Sequence, residues 1–516
     1  MLFSPQQNRT IVLWTATEDL ERSRVLIDTD YLVVGAGASG LAFADTLVAE
    51  TENAEVTVIE REQAPGGHWL HAYPFVRLHI PSSTYGVDSL ALGEDRVDQV
   101  GENAGYYERA TGDEVCEHFA DAALQLARTG RVRLLTRHEH LGRGSDGEQV
   151  RDLDTGEIHD LTVRRKIVDA RYLEASIPAT HATPFDVASG ARVLPINDLP
   201  AAARAASSYV ILGSGKTAVD ACLWLLANDV EPDRIRWVRP RDAWFYDRRH
   251  FQPLEQVGAI MEGISLDAEA GAASANVNDI FDQLEASGRV VRIDPSCPAT
   301  MYRGTMLSSI ELDALRQIRD VVRLGRVRRI EADRIVLERG ETNTGPETLH
   351  VDCTALGLAD APATPIFEPG RIVLQQVRHL SPCFNAALLA FVEAHRNDDA
   401  EKNRLCPPNP YPSSIEDWPR MVSRTWKTEG RWLSEPDLST WTAHSRLNLL
   451  RALPDHAAEP SVQAAVKRYL THVTTAIERL GQMDRSNHQA TDLMGKEKPK
   501  DPVRSPYIYS GGGSSR

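Results

Sequence analysis

The pattern Gly35-Ala36-Gly37-Ala38-Ser39-Gly40, set directly after Tyr31-Leu32-Val33-Val34, limits the fold of this 516-residue chain more than any other feature. The unbroken apolar run reads as a parallel strand covered on both faces. Leu41–Glu50 reads as a helix and Glu55–Glu60 as the next strand, which makes one βαβ unit. Each glycine has a task. Gly35 permits the tight turn, Gly37 lets the backbone approach a pyrophosphate, and Gly40 lets helix and strand pack closely. The helix N-terminus, where Ser39 also lies, offers free N–H groups and a partial positive charge to phosphate. Glu60 ends the second strand 25 residues after Gly35, where a carboxylate accepts hydrogen bonds from ribose hydroxyls.

The arrangement recurs 178 residues later. Tyr209–Leu212 is a strand, Gly213-Ser214-Gly215-Lys216-Thr217-Ala218 a second glycine turn, Val219–Asn228 a helix and Ile235–Val238 a strand. Ala218 at the third position is an accepted variant of the dinucleotide fingerprint. A P-loop is excluded, because it needs Gly where Val210 stands. The strand after this turn runs into Arg239 and Arg241, where an NAD site usually carries an acid. Arginine suits a 2′-phosphate instead, so Gly213, Gly215, Lys216, Thr217, Ala218, Arg239 and Arg241 form the expected NADPH site, with Arg248 and Arg249 second in rank.

Gly66-Gly67-His68-Trp69 and the stretch Tyr73–Tyr85 follow the first unit. This region resembles the flavin-containing and Baeyer–Villiger-type monooxygenase superfamily, whose motif here is commonly GGTW. That family has an Arg, an Asp two residues on, and a Tyr six residues after the Asp. Arg77 and Tyr85 match, and His79 stands in the place of the Asp. The resemblance implies FAD on the first fingerprint, held by Gly35, Gly37, Ser39, Gly40 and Glu60. It places Gly67, His68 and Trp69 beside the flavin, with Tyr85 close by. The family's FxGxxxHxxx[FWY] segment is a departure: Phe185–Pro200 has no His in the required place, which marks a divergent relative.

The implied fold is α/β, with two Rossmann-like dinucleotide-binding domains, the NADP domain inserted in the FAD domain, and a C-terminal helical region. The expected limits are 1–195 for the first part of the FAD domain and 196–344 for the NADP domain. Residues 345–395 are the expected FAD-domain return segment, and 396–516 the helical region. Leu349–Gly357 resembles the strand-turn by which such chains return to the FAD domain, and a helix from near Phe384 aims its N-terminus at the flavin. Further expected elements are a helix over 114–129, β-segments at Val132–Leu135 and Arg164–Val168, and a loop-helix insertion over 264–290. A hairpin at Arg326–Ile330 and Arg334–Leu337 and a helix at Ala386–Ala394 complete the reading. Residues 1–29 read as a polar leader with an apolar patch at Ile11–Trp14, and Ser510–Arg516 as a flexible end.

FAD with NADPH implies hydride transfer to the flavin. The expected function is a monooxygenase that acts on a small organic molecule with O2 through a flavin C4a-(hydro)peroxide. The alternatives are an NADPH-dependent flavoprotein oxidoreductase without oxygen insertion, or a non-catalytic flavin-binding regulator. A disulfide reductase is excluded, because Cys116, Cys222, Cys297, Cys353, Cys383 and Cys406 form neither CxxC nor CxxxxC. Three groups are candidates for the chemistry. Arg77 would stabilise anionic flavin or peroxide, His79 would relay a proton at near-neutral pKa, and Arg303 would meet substrate or nicotinamide, with a structural salt bridge as its alternative. No metal site is expected, and His138-Glu139-His140 reads as a solvated loop. The net charge of −16 argues against nucleic acid as a partner. With a mean hydropathy of −0.33, no apolar run reaches the ~18–20 residues of a membrane span. No secretory signal is present and the cysteines form no framework, so a cytoplasmic location is expected.

Overall fold

The computed structural model describes residues 27–493 apart from 146, 173–174, 204–205 and 359–360. The Ile11–Trp14 patch and the Ser510–Arg516 end lie outside the described residues. The first sheet is built around Ile27–Val34. Val56–Glu60 and then Val132–Thr136 pair parallel on one side of it, and Ile158–Asp169 and then Arg371–Val373 on the other. The Tyr31–Val34 part of its central strand is apolar because both faces are covered there. The helix Ala38–Glu50 packs there with Pro382–His395, joining Leu41, Phe43 and Leu47 to Phe384, Leu388 and Phe391 in one core.

The second sheet has the order Asp320–Val322, Ile235–Val238, Ser208–Leu212, Thr348–Asp352, Arg192–Pro195, all parallel. This corrects the expected limits. Thr348–Asp352, read as the return to the first domain, pairs with Ser208–Leu212 in the second sheet, and Arg192–Pro195 flanks it. An apolar parallel strand carries no mark of which of two sheets will hold it. Placement follows from packing against the second glycine turn, where Cys353 N–H donates to Leu212 O at 3.0 Å. The chain rejoins the first sheet only at Phe367–Glu368 and Arg371–Val373, after which Leu374 N–H reaches Asp169 O at 3.0 Å.

A third sheet, Asp242–Asp247 with Val290–Arg292 and Ala299–Leu307, extends the second unit. The expected loop-helix insertion over 264–290 is more regular than the reading. Helices Val257–Ala273 and Val277–Ala286 occupy most of it. The expected hairpin is present as Val327–Ile330 against Arg334–Leu337. His138-Glu139-His140, expected in a loop, lies in the strand His138–Arg143, with His140 paired to Glu148 at 2.9 Å.

The C-terminal region carries helices Asp399–Leu405, Trp418–Trp432, Pro436–His444 and Pro460–Leu493. It packs on both units. Trp432, Leu438 and Leu447 enter the first core, and Trp418, Met421 and Trp426 enter the core of the third sheet. Glycines set the closeness of one contact. A Cβ on Gly271 would stand 3.1 Å from Leu480 and 3.3 Å from Ala476 of the last helix. Arg468 closes it with Glu262 at 2.8 Å and Glu269 at 2.6 Å. Among the described residues no helix is long and apolar enough to cross a membrane.

Candidate functional site

The first glycine turn has the geometry its residues predict. Gly35 has φ +104°, in the region glycine tolerates best, and a Cβ on Gly40 would lie 1.9 Å from Gly35 O. Gly66 N–H donates to Ala36 O at 3.0 Å, and a Cβ on Gly67 would stand 3.1 Å from Gly37 Cα. The Gly66–Trp69 turn is thus pressed onto the fingerprint loop, backbone to backbone. Trp69 Nε1–H donates to the Tyr85 hydroxyl at 2.8 Å, while His68 sits exposed on the turn, 5.2 Å from the Trp69 ring. Glu60 is buried, and its two oxygens accept from Ala36 N–H at 2.8 Å and Glu62 N–H at 3.0 Å.

The two fingerprint helices start differently from two capped helices of the molecule. Gly112–Arg128 and Ser309–Leu315 close their first turns with capping boxes from Thr111–Glu114 and Ser308–Glu311. Ala38–Glu50 and Lys216–Ala227 begin after Gly37 and Gly215, with no side-chain cap and no acid in the first turn. Their first-turn N–H groups near Ser39, Gly40 and Thr217 keep their positive ends open to phosphate, while Ala218 N–H donates to Gly215 O at 3.1 Å. Gly213 (φ +128°) is also irreplaceable by packing, since a Cβ there would meet Cys353 O at 2.6 Å. These features fit two dinucleotides.

The segment after Trp69 docks on the second fingerprint helix. Tyr73 O–H donates to Asp220 Oδ2 at 2.5 Å, Asp220 pairs with Lys216, and Phe75 stacks on Trp224 at 5.2 Å. Beside this junction lies a charged cluster. Arg248 reaches Glu311 at 2.6 Å and Arg109 reaches it at 3.5 Å, all three side chains being almost fully buried. His79 faces this cluster. Desolvation, then Lys216, Arg248 and Arg109, hold its imidazole well below the ordinary value of 6.5, against a smaller pull from Glu311. His79 is therefore neutral at physiological pH.

Of the other expected catalytic groups, Arg77 is exposed and donates Nη1–H to the backbone oxygen of Arg109 at 3.0 Å. Arg303 Nη1–H donates to Leu356 O at 2.8 Å. The expected phosphate pair divides. Arg239 is 3% exposed, lies 4.9 Å over the Trp237 ring and is paired with Asp242 at 3.4 Å. Arg241 is exposed, its amide is 3.5 Å from Ser214 Oγ of the glycine turn, and Arg326 and Arg303 add positive charge there. Tyr73, Asp220, Arg109 and Glu311 were not singled out by sequence reasoning. Among the described residues no cluster of His, Cys, Asp and Glu could hold a metal ion.

Several histidines share the condition of His79. Burial holds His118 at about 4 and His250 and His379 at about 3, below the ordinary 6.5. The unfolded chain then binds more protons than the native state below that ordinary value. Stability is full above about pH 6.5 and falls as pH drops from there toward about 4 and 3. Urea midpoints at about pH 7.5 and about pH 5 check this, with the lower midpoint expected at the lower pH.

Residues 33–79 match the family model described as NAD(P)-binding Rossmann-like domain. "Uncharacterized protein Rv2000" of Mycobacterium tuberculosis (strain ATCC 25618 / H37Rv) is 44% identical over 462 residues, 89% of this chain and 84% of that one. A solved flavin-containing monooxygenase from Stenotrophomonas maltophilia is 13% identical, covering 72% of this chain and 98% of its own, at a TM-score of 0.43. A cyclohexanone monooxygenase from Rhodococcus sp. Phi1, bound to NADP+, is 14% identical over 73% of this chain and 85% of its own, at a TM-score of 0.44. With 44% identity over 89% of its length, the chain belongs to the protein family of Rv2000.

Proposed function

We propose that the protein is an FAD- and NADPH-dependent monooxygenase of a small organic molecule. One observation carries this reading: the loop that follows the first fingerprint is bonded to the helix of the second, through Tyr73–Asp220 and Phe75–Trp224. In this reading the two dinucleotide sites would open on a common junction, as hydride transfer between them requires. FAD would be held by Gly35, Gly37, Ser39, Gly40, Glu60, Gly67, His68 and Trp69, with Tyr85 behind. NADPH would be held by Gly213, Gly215, Lys216, Thr217, Ala218 and Arg241. The flavin, when bound, supplies two-electron transfer from NADPH to O2.

The chain's own part is binding, orientation and proton handling. The uncapped helix starts and Lys216 receive phosphate charge. His79, expected to relay a proton at near-neutral pKa, is instead held neutral, so it can donate a hydrogen bond from one ring nitrogen and accept one at the other. Arg109 and Arg248 beside it favour negative charge at the junction. Six free cysteines suit a reducing cytoplasm.

The test is anaerobic addition of NADPH to the flavin-loaded protein, then labelled O2 with a panel of small molecules. Oxygenation puts one labelled atom in the product and one in water for each NADPH. Quantitative release of H2O2 whatever molecule is added favours the second reading, an oxidoreductase without oxygen insertion. The missing His in Phe185–Pro200 is the observation that keeps that reading alive. Failure of NADPH to reduce the flavin at all leaves only a flavin-binding regulator.

Arg241→Ala should weaken NADPH about tenfold or more and leave NADH unchanged, since one charge-assisted phosphate contact is worth ~1.5–3 kcal/mol. Arg239→Ala should instead lower stability and leave the NADPH/NADH ratio within about twofold, because its guanidinium is stacked and paired inside the domain. Steady-state affinities for both nucleotides separate the two variants.

A further inference from the structure

The C-terminal region reaches back to the first nucleotide site through one side chain. Arg446 Nη1–H donates to Ser83 O at 2.7 Å, and Nη2–H donates to Tyr85 O at 3.0 Å and also to Val87 O. Its neighbours bind the same segment. Ser445 O–H donates to Asp88 at 2.9 Å, and Leu447 N–H donates to Asp88 at 3.3 Å. From the other side, Asp45 of the first fingerprint helix accepts Ser89 N–H at 3.0 Å and Ser89 O–H at 2.5 Å, and His118 Nε2 accepts Val87 N–H at 3.2 Å. The segment 83–89 is therefore clamped between the first fingerprint helix and the C-terminal region.

Tyr85 sits inside that clamp. Its carbonyl is held by Arg446 and its hydroxyl accepts from Trp69, whose turn lies against Gly37. The chain of contact runs from Arg446 to the Tyr85 backbone, the Tyr85 ring, Trp69, and the Gly67–Gly37 approach. A guanidinium suits this place, because its planar fork reaches several carbonyl oxygens with one rotamer.

We propose that Arg446 is a positioning residue for the flavin site, and that the C-terminal region works as a latch that holds the Tyr85–Trp69 pair in place for FAD. This rests on the FAD assignment above. Arg446 touches neither flavin nor substrate in this scheme and acts through Tyr85.

The test is a double-mutant cycle on FAD affinity, measured by equilibrium titration of flavin-depleted full-length protein. Arg446→Met should weaken FAD about tenfold, the equivalent of losing about one hydrogen bond to a charged donor. Arg446→Lys, which keeps the charge and a single donor point, should lose about threefold. In a Trp69→Phe background, where the Nε1–H bond to Tyr85 is gone, Arg446→Met should change affinity less than about twofold. Far-UV circular dichroism and urea midpoints confirm that the variants fold. Should Arg446→Met not fold, Arg446→Lys carries the same cycle. Additive effects of Arg446 and Trp69, or an Arg446 variant with wild-type FAD affinity, overturn the latch. Failure of the wild-type protein to bind FAD overturns the cofactor assignment instead, so the two failures are distinct.

Discussion

Glu311→Ala should lower stability by about 3–5 kcal/mol in urea unfolding and abolish NADPH-dependent flavin reduction. Glu311 is the carboxylate on which Arg248 and Arg109 converge, and it also accepts Ser308 N–H at 2.8 Å in a helix-capping box. Arg248 is 0% exposed, with Nε and Nη1 making no hydrogen bond, so it leans on this one acid. Removing the acid leaves two guanidinium groups facing each other in a poorly solvated junction, which costs more than the pair contributed. Glu311→Gln keeps the shape and the cap acceptor, so it should fold better than the Ala variant yet still impair reduction. Equal stability of Glu311→Ala and wild type would sink this account.

The second large effect separates two glycines of one motif. Gly40→Ala should leave too little room to fold the first unit, because its Cβ would stand 1.9 Å from a backbone oxygen that cannot move without opening the turn. Loss of several kcal/mol and loss of FAD are expected together. Gly37→Ala is the contrast. Its Cβ meets only Gly67, at ordinary distances of 3.5 Å to Cα and 3.9 Å to N, so the chain should fold, with FAD binding falling at least about tenfold as the methyl intrudes where the pyrophosphate approaches. Retained flavin and urea midpoints, measured on both, give the comparison. Equal behaviour of the two variants would contradict the separate tasks given to them.

Much of this was legible in the residues. The fingerprints could be read because the turn needs Gly35 and Gly213 at positive φ and the flanking strands are continuous apolar runs. The strands near 192 and 348 could be seen as strands, but their sheet could not be read, because sheet membership is decided by long-range packing. The two arginines after Val238 look alike in sequence. Arg239 continues the face of Trp237 two residues earlier and is drawn inward to stack on it, while Arg241 lies past the strand end. The charged junction was illegible for a simpler reason: residues 79, 109, 216, 248 and 311 meet only after both units have folded and docked. Arg446 gave no signal at all, since its partners are backbone carbonyls, which any sequence supplies.

The sheet orders have a consequence for the order of events during synthesis. The second unit is continuous from Arg192 to Asp352, so every strand of its parallel sheet is available once that stretch has left the ribosome. The first unit is not. Its central strand and its fingerprint helix emerge early, but the cover helix Pro382–His395 and the strands Phe367–Glu368 and Arg371–Val373 come some 320 residues later. At about 5–20 residues per second the nascent first unit waits roughly 15–60 s with one apolar face open. The later domain in the chain is therefore the earlier one to fold, and a chaperone that shields Leu41, Phe43 and Leu47 would act on this protein in that interval.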